Sequence, residues 1–286
     1  METSRTLRPL SRSTSLAWLA GAAMAAPAVA IVGVLFIYPF FHSLIASFQN
    51  KSGNWTLENY SFIFSMYVRD MLFTVWVSLL SLVILLVLTV LLAGYLRLHH
   101  SSWIEFMFKI PLFVPFVVVG HAVRVFLAPH GTLNSALVFL TGNWFNPDQM
   151  PSIAFSTAGL VAALVWKNLA FSLLLVLGAF RGINNGYLEA SRNFGAGTIW
   201  QIVDIMIPMS KGAIGVASVL MFTSMIGNFS IPAMLGNSGG NQVLMMDLYY
   251  QIVYQNNYGA ANAIGVISYL VSMGAAIYYL RTVSRA

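Results

Sequence analysis

Residues 187–208 read YLEASRNFGAGTIWQIVDIMIP. They interrupt a chain that is 58% hydrophobic and only 8% charged, yet they carry Glu189, Arg192 and Asp204. Glu189, Ala190 and Ser191 open a helix-favouring run. Gly195 and Gly197 weaken it, because glycine costs about 1 kcal/mol against alanine inside a helix. Beyond them Ile199, Ile202, Val203 and Met206 recur at helical spacing, which predicts one apolar stripe on a second short helix. Pro208 is expected to end that helix. The stretch therefore reads as helix, glycine bend, helix. Such an amphipathic element either rests on lipid headgroups or docks in a groove on another protein. Physics alone leaves both readings open.

The rest of the chain places this element at a membrane. Soluble domains carry about 25% charged residues, and at 8% this chain cannot cover a water-facing surface. Six apolar runs approach the roughly 20 residues that a span needs. They lie near 18–46, 71–96, 105–128, 153–180, 211–235 and 259–280. The expected fold class is all-α: a polytopic membrane protein with six transmembrane helices. One domain covers 16–286 behind a cytoplasmic tail at 1–15, with 184–208 as a cytoplasmic loop. The N-terminal Arg5, Arg8 and Arg12, followed by APAVA at 26–30, imitate a signal peptide. The apolar run continues unbroken through IVGVLFIYPFF, which favours an uncleaved first span.

Basic residues set the orientation. With the N-terminus inside, the inner segments hold Arg5, Arg8, Arg12, Arg97, Arg181, Arg192, Lys211, Arg281 and Arg285. The outer side holds only Lys51 and Arg69. Six spans with both termini in the cytoplasm satisfy the bias. The same inner cluster accounts for the net charge of +6. No basic stripe interleaved with aromatics lies outside the spans, so nucleic acid is not an expected partner, whereas membrane lipid is. The absence of cysteine excludes disulfides, thiolate-ligated zinc and thiol catalysis. His42, His99 and His100 have no metal-ligand spacing and read as interfacial, so no metal site is expected. The outer segment 129–152 carries turn signals in PHGTLN, GNW and NPDQMP, with an interfacial helix expected near 133–140. Trp144, Tyr249, Tyr250, Tyr254 and Tyr258 suit the headgroup zone.

The spacing in 187–208 is also a signature. Glu189-Ala190-Ser191, three residues, Gly195, nine residues, Ile205, one residue, Ile207-Pro208 resembles the "EAA" pattern of permease subunits of binding-protein-dependent ABC importers. Ser191 replaces the second alanine of that pattern and Ile207 its leucine. PHGTLNSAL at 129–137, IGNFSIPAMLG at 226–236 and YGAANAIG at 258–265 resemble segments of the polyamine and ferric-iron branch. The resemblance covers approximately 70–282. It implies a coupling-helix pair in which Glu189 to Gly197 seats in a cleft of an ATPase subunit. It further implies a second permease subunit, a dimer of ABC ATPase subunits and an extracytoplasmic solute-binding protein as partners, in a bacterial inner membrane. ATP and Mg would be bound by the ATPase partners. This chain has no phosphate-binding loop and binds no cofactor of its own.

Residues that could meet a solute are few. Charge within a bilayer is costly and tends to face a cavity. Lys109 sits near the inner start of the third run and can snorkel. His121 and Arg124 share a helix face. Lys167 lies mid-span between Trp166 and Asn168, and is expected to face an aqueous pathway near Asn228 and Ser230. A lysine paired to a carbonyl or to a sister subunit remains the other reading. Asn228, Phe229, Ser230 and Pro232 lie in the fifth run, where Pro232 is expected to kink or break the helix. An ion-coupled secondary transporter is the competing class, but it requires deep carboxylates, and no acidic residue falls deep in the six runs. An intramembrane enzyme lacks its Ser/His, HExxH or paired-Asp spacing. The solute is a polyamine, ferric iron or, from the basic residues in the spans, a small organic anion or phosphonate.

Overall fold

The computed structural model describes residues 12–141, 153–236 and 240–283. Arg5, Arg8, Trp144, Arg285 and the GNW and NPDQMP turns lie outside the described residues. The chain is helical almost throughout. Helix α1 (Arg12–Val32) runs through a π turn at Gly33–Ile37 into α2 (Tyr38–Ser47). APAVA lies inside this continuous helix, with Pro27 in its interior. Then come α3 (Glu58–Met66), α4 (Val68–Leu98), α5 (Ser102–Lys109), α6 (Phe116–Leu127) and α7 (Thr132–Thr141). The central helix α8 (Thr157–Arg181) leads to α9 (Asn185–Asn193), α10 (Thr198–Trp200) and α11 (Ile207–Met209). The chain finishes with α12 (Lys211–Ile226), α13 (Ser230–Leu235), α14 (Leu244–Val253) and α15 (Tyr258–Val283).

Among the described residues five stretches are long and apolar enough to cross a membrane: Ala20–Ser47, Val68–Leu98, Phe116–Thr141, Thr157–Arg181 and Tyr258–Arg281. A bent pair, Thr198–Met209 and Lys211–Ile226, meets at 81° and makes a sixth if it is counted as one span. The helix of Thr132–Thr141 appears where an interfacial one is expected.

Two expected spans are not single helices. The third, read as 105–128, breaks between α5 and α6 around a 3-10 turn at Ile110–Leu112. Pro111 and Pro115 there remove two backbone donors and clash with the preceding turn. The fifth, read as 211–235, breaks at Gly227–Phe229 rather than at Pro232. Pro232 sits in the first turn of α13, where its missing N–H costs nothing. The side-chain oxygen of Asn228 accepts the Ile231 N–H at 3.0 Å and caps that turn.

The core is built on α8, which packs along α4 and against α12. In lipid, helices associate through close backbone approach and polar contacts rather than water exclusion. The α4–α8 seam follows that rule, with Ser78, Ser81, Thr89 and Ala93 facing Ala163, Ala170 and Ser172, all buried. Thr89 donates to the Ser172 hydroxyl at 3.0 Å. Two apolar clusters flank this seam. The one at the inner end includes Leu96, Leu177, Phe180, Leu188, Ile202 and Met206. It is the seat of the 187–208 element.

Candidate functional site

The element at 187–208 is helix, bend, helix, as expected. Helix α9 is opened by Asn184, whose side-chain oxygen accepts the Gly186 N–H at 2.8 Å. The chain then turns at Gly195, where φ is +85°. That left-handed conformation is open to glycine and costs other L-residues roughly 1–2 kcal/mol. No heavy atom lies within 4 Å of where a Cβ would sit, so Gly195 serves the turn and not a close approach. Helix α10 continues through a π turn, Gln201–Met206, into α11. Contrary to expectation, the helix passes Pro208 and ends one residue later, at Met209. The wider i→i+5 pattern of the π turn just before Pro208 relieves the clash a proline causes in a tighter helix.

The π turn also redraws the apolar stripe. Ile202 and Met206 are buried with Gln201, whereas Ile199 and Val203 are exposed. Two populations of side chain result. Leu188, Ile202 and Met206 anchor the element in the inner core, and Ile205 and Ile207 pack against it. Glu189, Ala190, Gly195, Gly197 and Pro208 are exposed, and Ser191 is half-buried, donating to the Leu188 carbonyl at 2.8 Å. Beside them stand Tyr187, Phe194 and Trp200, with Phe194 92% exposed. The spacing had not singled out these three aromatics. Their signal was present, since apolar side chains within a polar insert need a partner surface.

An ionic collar lies close by. Glu105 on α5 accepts from Arg181 at the end of α8, at 2.5 and 3.1 Å, and from Lys109 at 2.6 Å. Lys109 is thereby the structural residue it was expected to be. Arg97, read only as a topology charge, donates to the Phe180 and Ile183 carbonyls at 2.9 and 2.8 Å. It also donates to Asn185 Oδ1 at 2.5 Å.

Residues proposed for the pathway divide between two environments. A largely apolar groove of about 800 Å³ is lined by Val114, His121, Val125, Phe126, Thr132 and Trp166, among others. His121 and Trp166 therefore face open space. Arg124 turns away, donating to the Met234 carbonyl at 3.3 Å and lying over the Phe155 ring at 5.3 Å. Lys167 has carbonyl partners: its ammonium donates to Pro111 O at 2.8 Å and Val114 O at 2.6 Å, with the Phe116 ring at 4.8 Å. It spans the break in the third span instead of meeting Asn228 or Ser230. The reason is physical, because prolines leave carbonyls without donors and a nearby ammonium supplies them. Asn168 is buried, donating to Leu164 O and accepting from Ser224. Phe229 stacks near Tyr249 at 4.9 Å, Ser230 is half-buried and Pro232 is buried.

On α14, outside the candidate spans, Asp247 is 5% exposed and its Oδ2 has no partner. Burial, and then the Asp70 carboxylate, push its carboxyl up to about 7. Among the described residues no cluster of His, Cys, Asp or Glu could hold a metal ion.

The exposed, glycine-hinged element is thus anchored at one end of an apolar helix bundle. Residues 12–285 match the family described as binding-protein-dependent transport system inner membrane component. The chain belongs to that family. This permease is 26% identical over 282 residues to the sulfoquinovosyl glycerol transport system permease of Agrobacterium fabrum, covering 90% of this chain and 88% of the relative. It is 24% identical over 224 residues to the spermidine/putrescine transport system permease of Escherichia coli, covering 73% and 80%. It is 27% identical over 168 residues to the molybdenum transport system permease of Azotobacter vinelandii, covering 58% and 71%. A bacterial alginate ABC transporter, solved with its alginate-bound periplasmic protein, superimposes with a TM-score of 0.75 at 18% identity over 94% of both chains. The permease is thus a multi-pass inner-membrane subunit of an ABC importer, and it has the fold of one.

Proposed function

We propose that this permease moves a small hydrophilic solute inward by alternating access, driven by separate ATPase subunits docked on Tyr187–Pro208. The observation that carries the proposal is the division within that element. One side is fixed in the transmembrane core by Leu188, Ile202 and Met206. The other presents Phe194, Trp200 and the EAA residues to a partner. ATP and Mg belong to the ATPase pair, and this chain holds no cofactor. The excess of Lys and Arg on inner segments supports cytoplasmic termini.

The groove at His121 and Trp166 is open on one side and apolar, which suits closure by a second permease subunit to complete the pathway. Solute arrives from an extracytoplasmic binding protein. Lys167 is committed to carbonyls, and this removes the main argument for an anion. Relatives named for polyamine, molybdenum and sugar-glycerol transport keep the solute panel broad. The test is to purify the tagged permease with its neighbouring gene products and reconstitute it in liposomes. Uptake is then assayed across polyamines, ferric iron chelates, molybdate, sugar glycerols and small organic anions including phosphonates. ATP- and binding-protein-dependent uptake of one class is the expected result. Uptake that follows an ion gradient without ATP would favour a secondary transporter and overturn the reading.

A further inference from the structure

The coupling element is continuous in sequence with α8 and α12, which makes those helices the obvious route for its motion. It also packs directly on α4. A Cβ at Gly94 of α4 would stand 2.4 Å from Cδ1 and Cγ1 of Ile202, so Ile202 lies flush on the α4 backbone. Three residues further along, the Arg97 guanidinium holds Phe180 O at the end of α8, Ile183 O in the connector and Asn185 Oδ1 at the start of α9. Its planar fork reaches three acceptors at once, which a lysine ammonium on a flexible stem does less well. The connector 182–184 cannot flex without breaking these bonds.

The other end of α4 is tied as firmly. Asp70 Oδ1 accepts the Gln242 N–H at 3.1 Å, and Thr74 Oγ1 accepts the Leu244 N–H at 2.8 Å. Tyr67, at the helix start, accepts from Gln251 at 2.6 Å. These partners belong to the outer segment that leads to α15. Between the two ends α4 is one unbroken helix of 31 residues without proline. At 1.5 Å per residue it spans about 46 Å.

We propose that α4 is the rod linking the coupling element to the outer segment 242–251, with Gly94 and Arg97 as its inner seat and Asp70 and Thr74 as its outer one. The proposal rests on the coupling role given above. Displacement of the docked element enters α4 through Ile202 and Arg97, and shifts the outer segment through Asp70 and Thr74. In the reverse direction, contact on the outer face reaches the ATPase along the same helix.

The test uses the whole complex in liposomes, comparing basal ATP hydrolysis with hydrolysis in the presence of loaded binding protein. Arg97→Ala and Thr74→Val are expected to keep the ATPase subunits bound and basal hydrolysis intact. Each should reduce the stimulation by about tenfold, the scale of losing a hydrogen bond to a charged or buried group. Gly94→Ala should do the same, and Ile202→Ala should restore stimulation in the double variant by making room for the methyl. Unchanged stimulation in Arg97→Ala and Gly94→Ala would overturn the proposal. So would loss of ATPase binding in every variant with no recovery in the Gly94→Ala, Ile202→Ala pair, because the role would then be structural only. If the unaltered chain retained no ATPase, the coupling role itself would fall, and that result is distinct from either of the others.

Discussion

At two of the places where this permease abandons the regular helix, it does so in opposite ways. At 194–197 the chain breaks on glycine, with Gly195 at φ +85° and Phe194 exposed beside it. At 110–115 it breaks on proline, and Lys167 covers the freed carbonyls of Pro111 and Val114. The first break closes on its own backbone: the Gly195 N–H donates to Arg192 O at 2.9 Å and the Ala196 N–H to Ser191 O at 3.0 Å. At the second the prolines have no N–H to offer, and the Lys167 ammonium donates instead. One break is satisfied locally and the other by a side chain from a distant helix.

The largest expected effect tests the exposed break. Gly195→Asp puts an extra carboxylate on the surface proposed for docking, in a left-handed turn that Asp enters less readily than glycine. Uptake should fall to background while the protein still reaches the membrane in normal amount. Normal uptake by a well-expressed variant would remove the bend from the mechanism.

Lys167→Met tests the buried break. It leaves the Val114 carbonyl without its Lys167 donor and the Pro111 carbonyl with only a long bond from the Val114 N–H at 3.4 Å, at about 1–3 kcal/mol for a buried unsatisfied group. The yield of assembled complex and its thermal midpoint should both drop, and uptake per assembled complex should change little. A variant that assembles normally but transports poorly would return Lys167 to the solute pathway.

A smaller effect is expected at Asp247, a buried carboxyl whose Oδ2 has no donor. Its pKa is about 7 in the fold against 3.8 for the ordinary group. Between those values the folded state holds a proton that the unfolded state has released. The stability penalty therefore grows as pH rises from about 4 to about 7 and is complete above that window. Asp247→Asn should raise the thermal midpoint of the solubilised permease at pH 8, and less so at pH 5. An equal shift at both values would place the carboxylate in a solvated setting.

The helix–bend–helix shape of 187–208 is legible in sequence because its features are local: a fixed spacing, two glycines and a polar insert in an apolar chain. Four of the six spans were legible from hydropathy alone. The breaks in the other two were not, since apolar content registers side chains and is blind to a missing N–H at Pro111 or Pro115. The Asn228 cap, which shifted the fifth-span break away from Pro232, depends on backbone geometry that residue identity leaves open. Ile199 and Val203 were assigned to the buried stripe on a helical period that the π turn at Gln201–Met206 does not keep. Arg97 is read from sequence only as a topology charge, and Lys167 is left between a pathway and a carbonyl-paired reading, for one common reason. Their acceptors lie 83 to 88 and 53 to 56 residues away in the chain, so only the packed bundle brings them together.

The central claim is that Phe194 and its neighbours seat in the ATPase. The chain has no cysteine, so Phe194→Cys creates a single thiol without background. Oxidative cross-linking of that thiol to single-cysteine variants of the ATPase subunit, in assembled complex, is the direct measurement. The account predicts a permease–ATPase adduct, together with protection of the thiol from an aqueous maleimide when the ATPase is present. A thiol that labels equally with and without the ATPase, and yields no adduct, would contradict it.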